Sequence, residues 1–320
     1  MDTALNMKTI LLPTRFLPFV LVLAQVGQIS AADIPLPTAE IEHLTGLKGK
    51  WFESERVFKI TRPRRDVPIA IDGRVLPPFM GFTSWAAFTP GQKSPAMLMG
   101  DIVLFEDEVD EAMSAALDAG LQVTALHNHF LYDEPKVLFM HISGEGEALA
   151  LARGVRAILD RIDTTRTIKE QDDIQRTTTS QPKRRSGAPD LPRSSAITAS
   201  SLESLFGDKG TTQDGMVKFV WGRTAKMQCG CEVGREMGVN TWAAFYGTDT
   251  NCAVCGDFVV LESDLQATLR ELRHHGISVV AIHHHMTGES PRLLFLHYWG
   301  RGLAGDLASA LKAALALQTK

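Results

Sequence analysis

The sequence predicts an α+β protein built from two tandem repeats, each an antiparallel sheet with helices on one face, ferredoxin-like in outline. Three observations predict it. The chain matches itself when its second half is moved back by about 156 residues, so that Ser84-Trp85-Ala86-Ala87-Phe88 returns as Thr241-Trp242-Ala243-Ala244-Phe245. Each half runs through strand-like and helix-like patterns in the same order. The composition, 44% hydrophobic and 22% charged over 320 residues, is that of globular matter long enough for two cores.

Residues 1–32 read as a secretory signal peptide. Lys8 and Arg15 supply positive charge, residues 16–26 are almost wholly apolar, and Ser30-Ala31-Ala32 offers small residues for cleavage. The expected product is exported, periplasmic or secreted. An apolar run of about 11 residues falls short of the roughly 20 a helical span requires, so no stable membrane span is expected after cleavage. The net charge of −4 gives no global attraction to nucleic acid, and none is expected as a partner.

The first repeat occupies residues 33–163. An entry helix at 38–46 is followed by strands at 82–88 and 96–105. A helix at 107–119 then places Val109, Met113, Ala116 and Leu117 on one face, with Gly120 as its terminator. Strands at 121–130 and 136–143 flank a connection at 131–135, and a helix at 147–161 closes the unit. Residues 164–193 are rich in Thr, Ser, Gln, Lys, Arg and Pro and read as a flexible linker. Its Lys183-Arg184-Arg185 cluster reads as a solvated loop. The second repeat, 194–320, opens with a helix at 199–207. Ser263 and Gln266 form a capping-box pattern ahead of Leu265, Leu269 and Leu272 on one helix face, which ends at Gly276.

The chemistry-bearing residues repeat with the fold. Gly100-Asp101 returns as Gly256-Asp257, His127-Asn128-His129 as His283-His284-His285, and His141 as His297. Residues two apart on a strand share a face about 6.6 Å apart, which sets His127 beside His129 and His283 beside His285. Hairpins centred near Glu134 and Ser290 would bring His141 opposite His127 and His297 opposite His283, at about 5 Å between Cβ atoms. Each repeat thus gathers three imidazoles suited to a divalent transition metal, zinc first. Asp101 and Asp257 are candidate fourth ligands or partners that fix an imidazole tautomer. Glu134 and Glu145 are candidate catalytic bases for a metal-activated water. The competing reading makes the strand histidines structural. Asn128 and His284 point to the opposite strand face, while His274 and His275 suit a helix C-terminus without chemistry.

Cys229, Cys231, Cys252 and Cys255 occur only in the second repeat. In an oxidising compartment they read most simply as two disulfides of undetermined pairing, with a structural zinc site or thiol exchange as alternatives. Gly300-Arg301-Gly302-Leu303-Ala304-Gly305 mimics a dinucleotide fingerprint, but no later strand exists to carry the ribose-binding acid. Arg62, Arg64 and Arg65 read as a solvated charged edge, with the binding of an anionic group as the alternative.

In residues 81–88, Met99-Gly100-Asp101, His127-Asn128-His129 and 135–141, the sequence resembles the LppY/LpqO family of bacterial envelope proteins, catalogued as a domain of unknown function. The resemblance covers both repeats and implies an exported protein, often lipid-anchored, with no established reaction. The chain departs from it in lacking a lipobox cysteine and in carrying His284 where the first repeat has Asn128. The functional expectation is an exported metal-binding protein, hydrolase-like if catalytic, acting on a small molecule or envelope component. The alternative is a non-catalytic envelope binding or scaffold module.

Overall fold

The computed structural model describes residues 35–173 and 189–318. The first repeat runs α1 (Thr38–Thr45), β1 (Gly49–Phe52), β2 (Val57–Pro63), β3 (Ala70–Ile71), β4 (Arg74–Val75), β5 (Thr83–Pro90), β6 (Ala96–Phe105), α2 (Val109–Asp118), β7 (Gln122–Asn128), β8 (Asp133–Glu134), β9 (Val137–Gly146) and α3 (Ala148–Asp173). The second runs α4 (Ala199–Phe206), β10 (Thr211–Gln213), β11 (Met216–Gly222), β12 (Ala225–Lys226), β13 (Glu232–Val233), β14 (Asn240–Thr248), β15 (Asn251–Leu261), α5 (Leu265–His274), β16 (Ser278–His283), β17 (Leu293–Gly302) and α6 (Ala304–Ala316).

Each repeat forms a six-stranded sheet, ordered β1-β2-β5-β6-β9-β7 and β10-β11-β14-β15-β17-β16. Strands β6 and β7 both pair antiparallel with β9, so they run parallel to each other with β9 between them. That is the split β-α-β of the ferredoxin-like outline. The strand beside β6 is β5, which precedes it in the chain rather than following α3. The sequence-based fold class therefore holds, with the order of strands permuted.

Burial explains why the sheets assemble. Every residue of β6 is buried, because helices cover one face of its sheet and the other repeat covers the second. On the helical side, Phe88, Leu98, Leu104 and Met140 pack against Ala152, Val155 and Ile158 of α3. On the opposite side, Val103, Phe105 and Phe139 join Ala244, Tyr246, Cys255 and Trp299 of the second repeat. Met97 and Met99 likewise meet Val259, Leu293 and Phe295. The repeats thus stack sheet to sheet through their helix-free faces, each large apolar side chain contributing roughly 1.5–3 kcal/mol on burial.

Four sequence expectations are corrected. The closing helix α3 continues to Asp173 instead of stopping at 161, so 164–173 are helical and not linker. Its extension carries Arg166, which forms ion pairs with Glu108 and Asp107 beside the buried Arg64–Glu108 pair. At the far end of the expected linker, Leu191 is buried and its carbonyl accepts from Arg74 Nε at 2.9 Å. The signal peptide 1–32 and Lys183-Arg184-Arg185 lie outside the described residues. The Ser263–Gln266 capping box is not formed, since Ser263 sits in a 3-10 turn and its hydroxyl donates to Asp264 Oδ1 at 3.1 Å.

The disulfide expectation also fails: all four cysteines are buried free thiols. Cys252 and Cys255 lie three apart on β15 and so face opposite sides, one in the helical core and one between the sheets. Cys231 N–H donates to Cys229 Sγ at 3.4 Å, and burial pushes the thiols of Cys229, Cys252 and Cys255 up to about 12. The hairpin register is the fourth correction, and it bears on the site. No helix among the described residues is long and apolar enough to cross a membrane.

Candidate metal centre

His127 pairs with Phe139, and His141 with Ala125, so the first hairpin is centred one residue earlier than expected. The second repeats this, with His283 opposite Phe295 and His297 opposite Ala281. Moving the centre by one residue slides each partner by two, which keeps every side chain on its face. The imidazoles therefore still meet, at 5.1 Å between ring centroids for His127 and His141 and 4.5 Å for His283 and His297. His129 and His285 lie just beyond the ends of β7 and β16.

The expected two clusters are one. Because the helix-free faces stack, the hairpins meet across the interface and all six rings interleave. Centroid distances are 3.7 Å for His127–His283, 3.5 Å for His129–His297 and 4.1 Å for His141–His285. Two overlapping triads could hold a metal ion: His127, His283 and His297, and His141, His283 and His285. Within each, one ligand atom per residue lies within 4.8 Å of the others. His283 belongs to both triads, and each triad draws on both repeats.

The aspartates close the site. Asp257 Oδ2 stands 3.0 Å from His285 Nε2, and Asp257 Oδ1 stands 3.9 Å from His297 Nδ1. Asp101 Oδ1 is 4.0 Å from His141 Nε2. Burial raises both carboxyls well above the usual carboxylate range, and the Asp257 charge raises Asp101 further. Burial acts oppositely on the imidazoles, lowering His127 to about 4 and His285 to about 3 and driving His129, His141, His283 and His297 well down. The rings are thus neutral near pH 7, the form that binds metal.

Backbone carbonyls orient several rings. His127 Nδ1 lies 3.0 Å from the Asn128 oxygen, His285 Nδ1 2.9 Å from that of Gly238, and His297 Nδ1 3.2 Å from that of Gly256. A neutral ring that donates through Nδ1 turns the lone pair of Nε2 toward the centre. Nε2 of His127, His141 and His297, and both nitrogens of His283, are buried and make no hydrogen bond among the described residues. Gly238 holds φ +89°, and a Cβ there would come within 2.6 Å of Trp85 from the other repeat. Glycine is what lets that carbonyl approach His285 beneath the indole.

A cavity of about 390 Å³ opens on this centre, reached by His129, His285, His297, Asp101 and Asp257 and walled by Trp85 and Trp242. Glu134 and Glu145 do not line it. Glu134 pairs with Ala70 in a small accessory sheet, and Glu145 is exposed further along β9. The carboxylates beside the histidines are Asp101 and Asp257. His284 is half-buried, with both ring nitrogens 3.3 Å from Arg292, and His275 Nε2 lies 3.1 Å from Glu271. Sequence reasoning missed Lys59 and Lys218, which line the cavity from β2 and β11. Neither strand was expected, because both fall before the repeated Trp motif that marked the sheet.

Both repeats match the family described as Domain of Unknown Function (DUF1259), over residues 39–161 and 200–317. A comparison with curated proteins gave no match. Solved structures with some likeness include the trimeric bacterial microcompartment shell protein PduB, 12% identical over 84% of this chain and 89% of that one, at a TM-score of 0.20. EtuB from Clostridium kluyveri is 10% identical over 85% and 90%, at 0.19. The double-ringed trimeric shell protein MSM0271 is 11% identical over 81% and 96%, at 0.17. Scores this low carry no argument about fold or function.

Proposed function

Since the chain belongs to the DUF1259 family, whose name assigns no activity, we propose from its own residues that it binds a divalent transition metal, zinc first, at the histidine centre between its repeats. The carrying observation is the set of buried imidazole nitrogens at His127, His141, His283 and His297 that make no hydrogen bond among the described residues. A buried polar atom left unsatisfied costs about 1–3 kcal/mol, and native interiors hold few. A metal ion would satisfy several at once, through neutral ligands already turned inward.

The cavity supports a finer reading as a hydrolase-like metalloenzyme. A zinc ion with three imidazoles keeps an open position and brings a water's pKa toward neutrality. Asp257 and Asp101, which burial holds toward the neutral form, stand beside the imidazoles to orient them rather than to serve as the base the sequence had suggested in Glu134 and Glu145. The motif resemblance supports a place among LppY/LpqO envelope proteins, and the N-terminal pattern supports export. The rival reading, a scaffold with structural histidines, is favoured by the carbonyl contacts of His127, His285 and His297.

Zinc titration of chelator-treated, untagged protein separates the two. Metal binding predicts saturation near one ion per chain and a zinc-dependent rise in the melting temperature by mass action. His283→Ala, which strikes both triads, should weaken binding by more than the 10- to 100-fold that loss of an outer partner costs. No saturable uptake, or equal uptake by the variant, would leave the scaffold reading standing.

A further inference from the structure

We propose that the cavity above the histidine centre is an oxyanion pocket, in which Lys218, assisted by Lys59, holds the carboxylate or phosphate group of a small organic substrate. The inference deepens the metal-site reading and rests on it for the substrate's role, though not for the binding itself.

Lys59 and Lys218 occupy matching positions in the two repeats, and each ammonium sits 4.5 Å from an indole of its own repeat, Trp85 and Trp242 respectively. Their surroundings differ. Lys59 Nζ has Glu236 Oε2 at 3.9 Å. The corresponding neighbour of Lys218 is Phe79, whose ring lies 5.1 Å away, and no carboxylate among the described residues pairs with Lys218. Burial and the Lys59 charge hold Lys218 down to about 8, where it still carries a proton at neutral pH.

The cavity's charge balance points the same way. Arg65 and Arg235 stand on the lining with the two lysines. Facing these four cations on the lining are three carboxyl groups, Glu236, Asp101 and Asp257, and the two aspartates lie on the histidine side of the cavity. Lys218 is half-buried, and an ammonium so placed without a carboxylate gains a charge-assisted hydrogen bond when an anion completes it. The two indoles give the pocket flat apolar walls for the body of an organic anion. His129, His285 and His297 line the same cavity, so an anchored acid group places the rest of the molecule at the metal ligands.

The test uses chelator-treated full-length protein, so that no metal coordinates the probe. Benzoate, phenyl phosphate and neutral benzyl alcohol are titrated against tryptophan fluorescence, with inorganic phosphate as competitor. The proposal predicts saturable binding of benzoate or phenyl phosphate, whichever headgroup the pocket selects, and none of benzyl alcohol. Lys218→Met should lose at least 10-fold in affinity and Lys218→Arg should retain most of it, while zinc uptake by both stays at the wild-type level. Equal anion binding by wild type and Lys218→Met, or equal binding of the alcohol, overturns the proposal. Should zinc uptake fail while Lys218-dependent anion binding persists, the metal reading falls and this one survives.

Discussion

His283 and His127 hold matching places in the two repeats, yet only His127 has a ring nitrogen satisfied by a neighbouring carbonyl. His283 is also the member shared by both triads, a matter of position that no residue letter reveals. The histidine pattern itself was legible, since its residues recur at one spacing. Their lowered basicity gives a pH signature. In the metal-free protein, the folded state resists protonating His127 until about pH 4, while the unfolded chain takes the proton near 6.5. Stability from this group is therefore complete above pH 6.5 and falls as the pH drops toward 4, by up to about 3 kcal/mol. Asp101 and Asp257, raised by burial, contribute in the opposite direction at pH values above their ordinary 3.8 and offset part of the loss. Urea unfolding of metal-free protein at pH 7.5, 5.5 and 4.5 should show a net decline. A flat profile would mean that the imidazoles are not sealed from solvent.

At the scale of elements, β6 was read from sequence to its bounds, because an apolar run between turn signals leaves little ambiguity. The end of α3 was not. Residues 164–173 lack an apolar stripe, and what holds them helical is distant charge: Arg166 and Lys169 pair with Asp107, and Arg166 also pairs with Glu108. Pairings some sixty residues apart leave no local trace. Glu108 is buried between Arg64 and Arg166, so Glu108→Ala leaves two cations facing each other without their shared carboxylate. Such a loss costs about 3–5 kcal/mol. Chemical denaturation of the variant would measure it, and a change below about 1 kcal/mol would show that solvent replaces the pair. The hairpins teach a related lesson. Their register was off by two residues, yet the face survived, because strand periodicity fixes the face while turn geometry fixes the partner.

For the molecule as a whole, the duplication and the α+β class were visible in the repeated motifs, whereas the stacking of the two repeats was not. Alternation shows that a strand has two faces without saying what covers the second one. That cover is the other repeat: Met97, Met99 and Phe139 look like one sheet's own core in sequence and prove to be interface. The same stacking turns two expected histidine clusters into one centre, with Trp85 and Trp242 each reaching a glycine of the opposite repeat. A metal held there would be bound by imidazoles from both repeats. X-ray absorption at the zinc edge of the loaded protein tests this most directly. The expected first shell is nitrogen and oxygen at about 2.0–2.1 Å with the outer scattering of imidazole, whereas sulfur at about 2.3 Å would put the ion on the cysteines and contradict it.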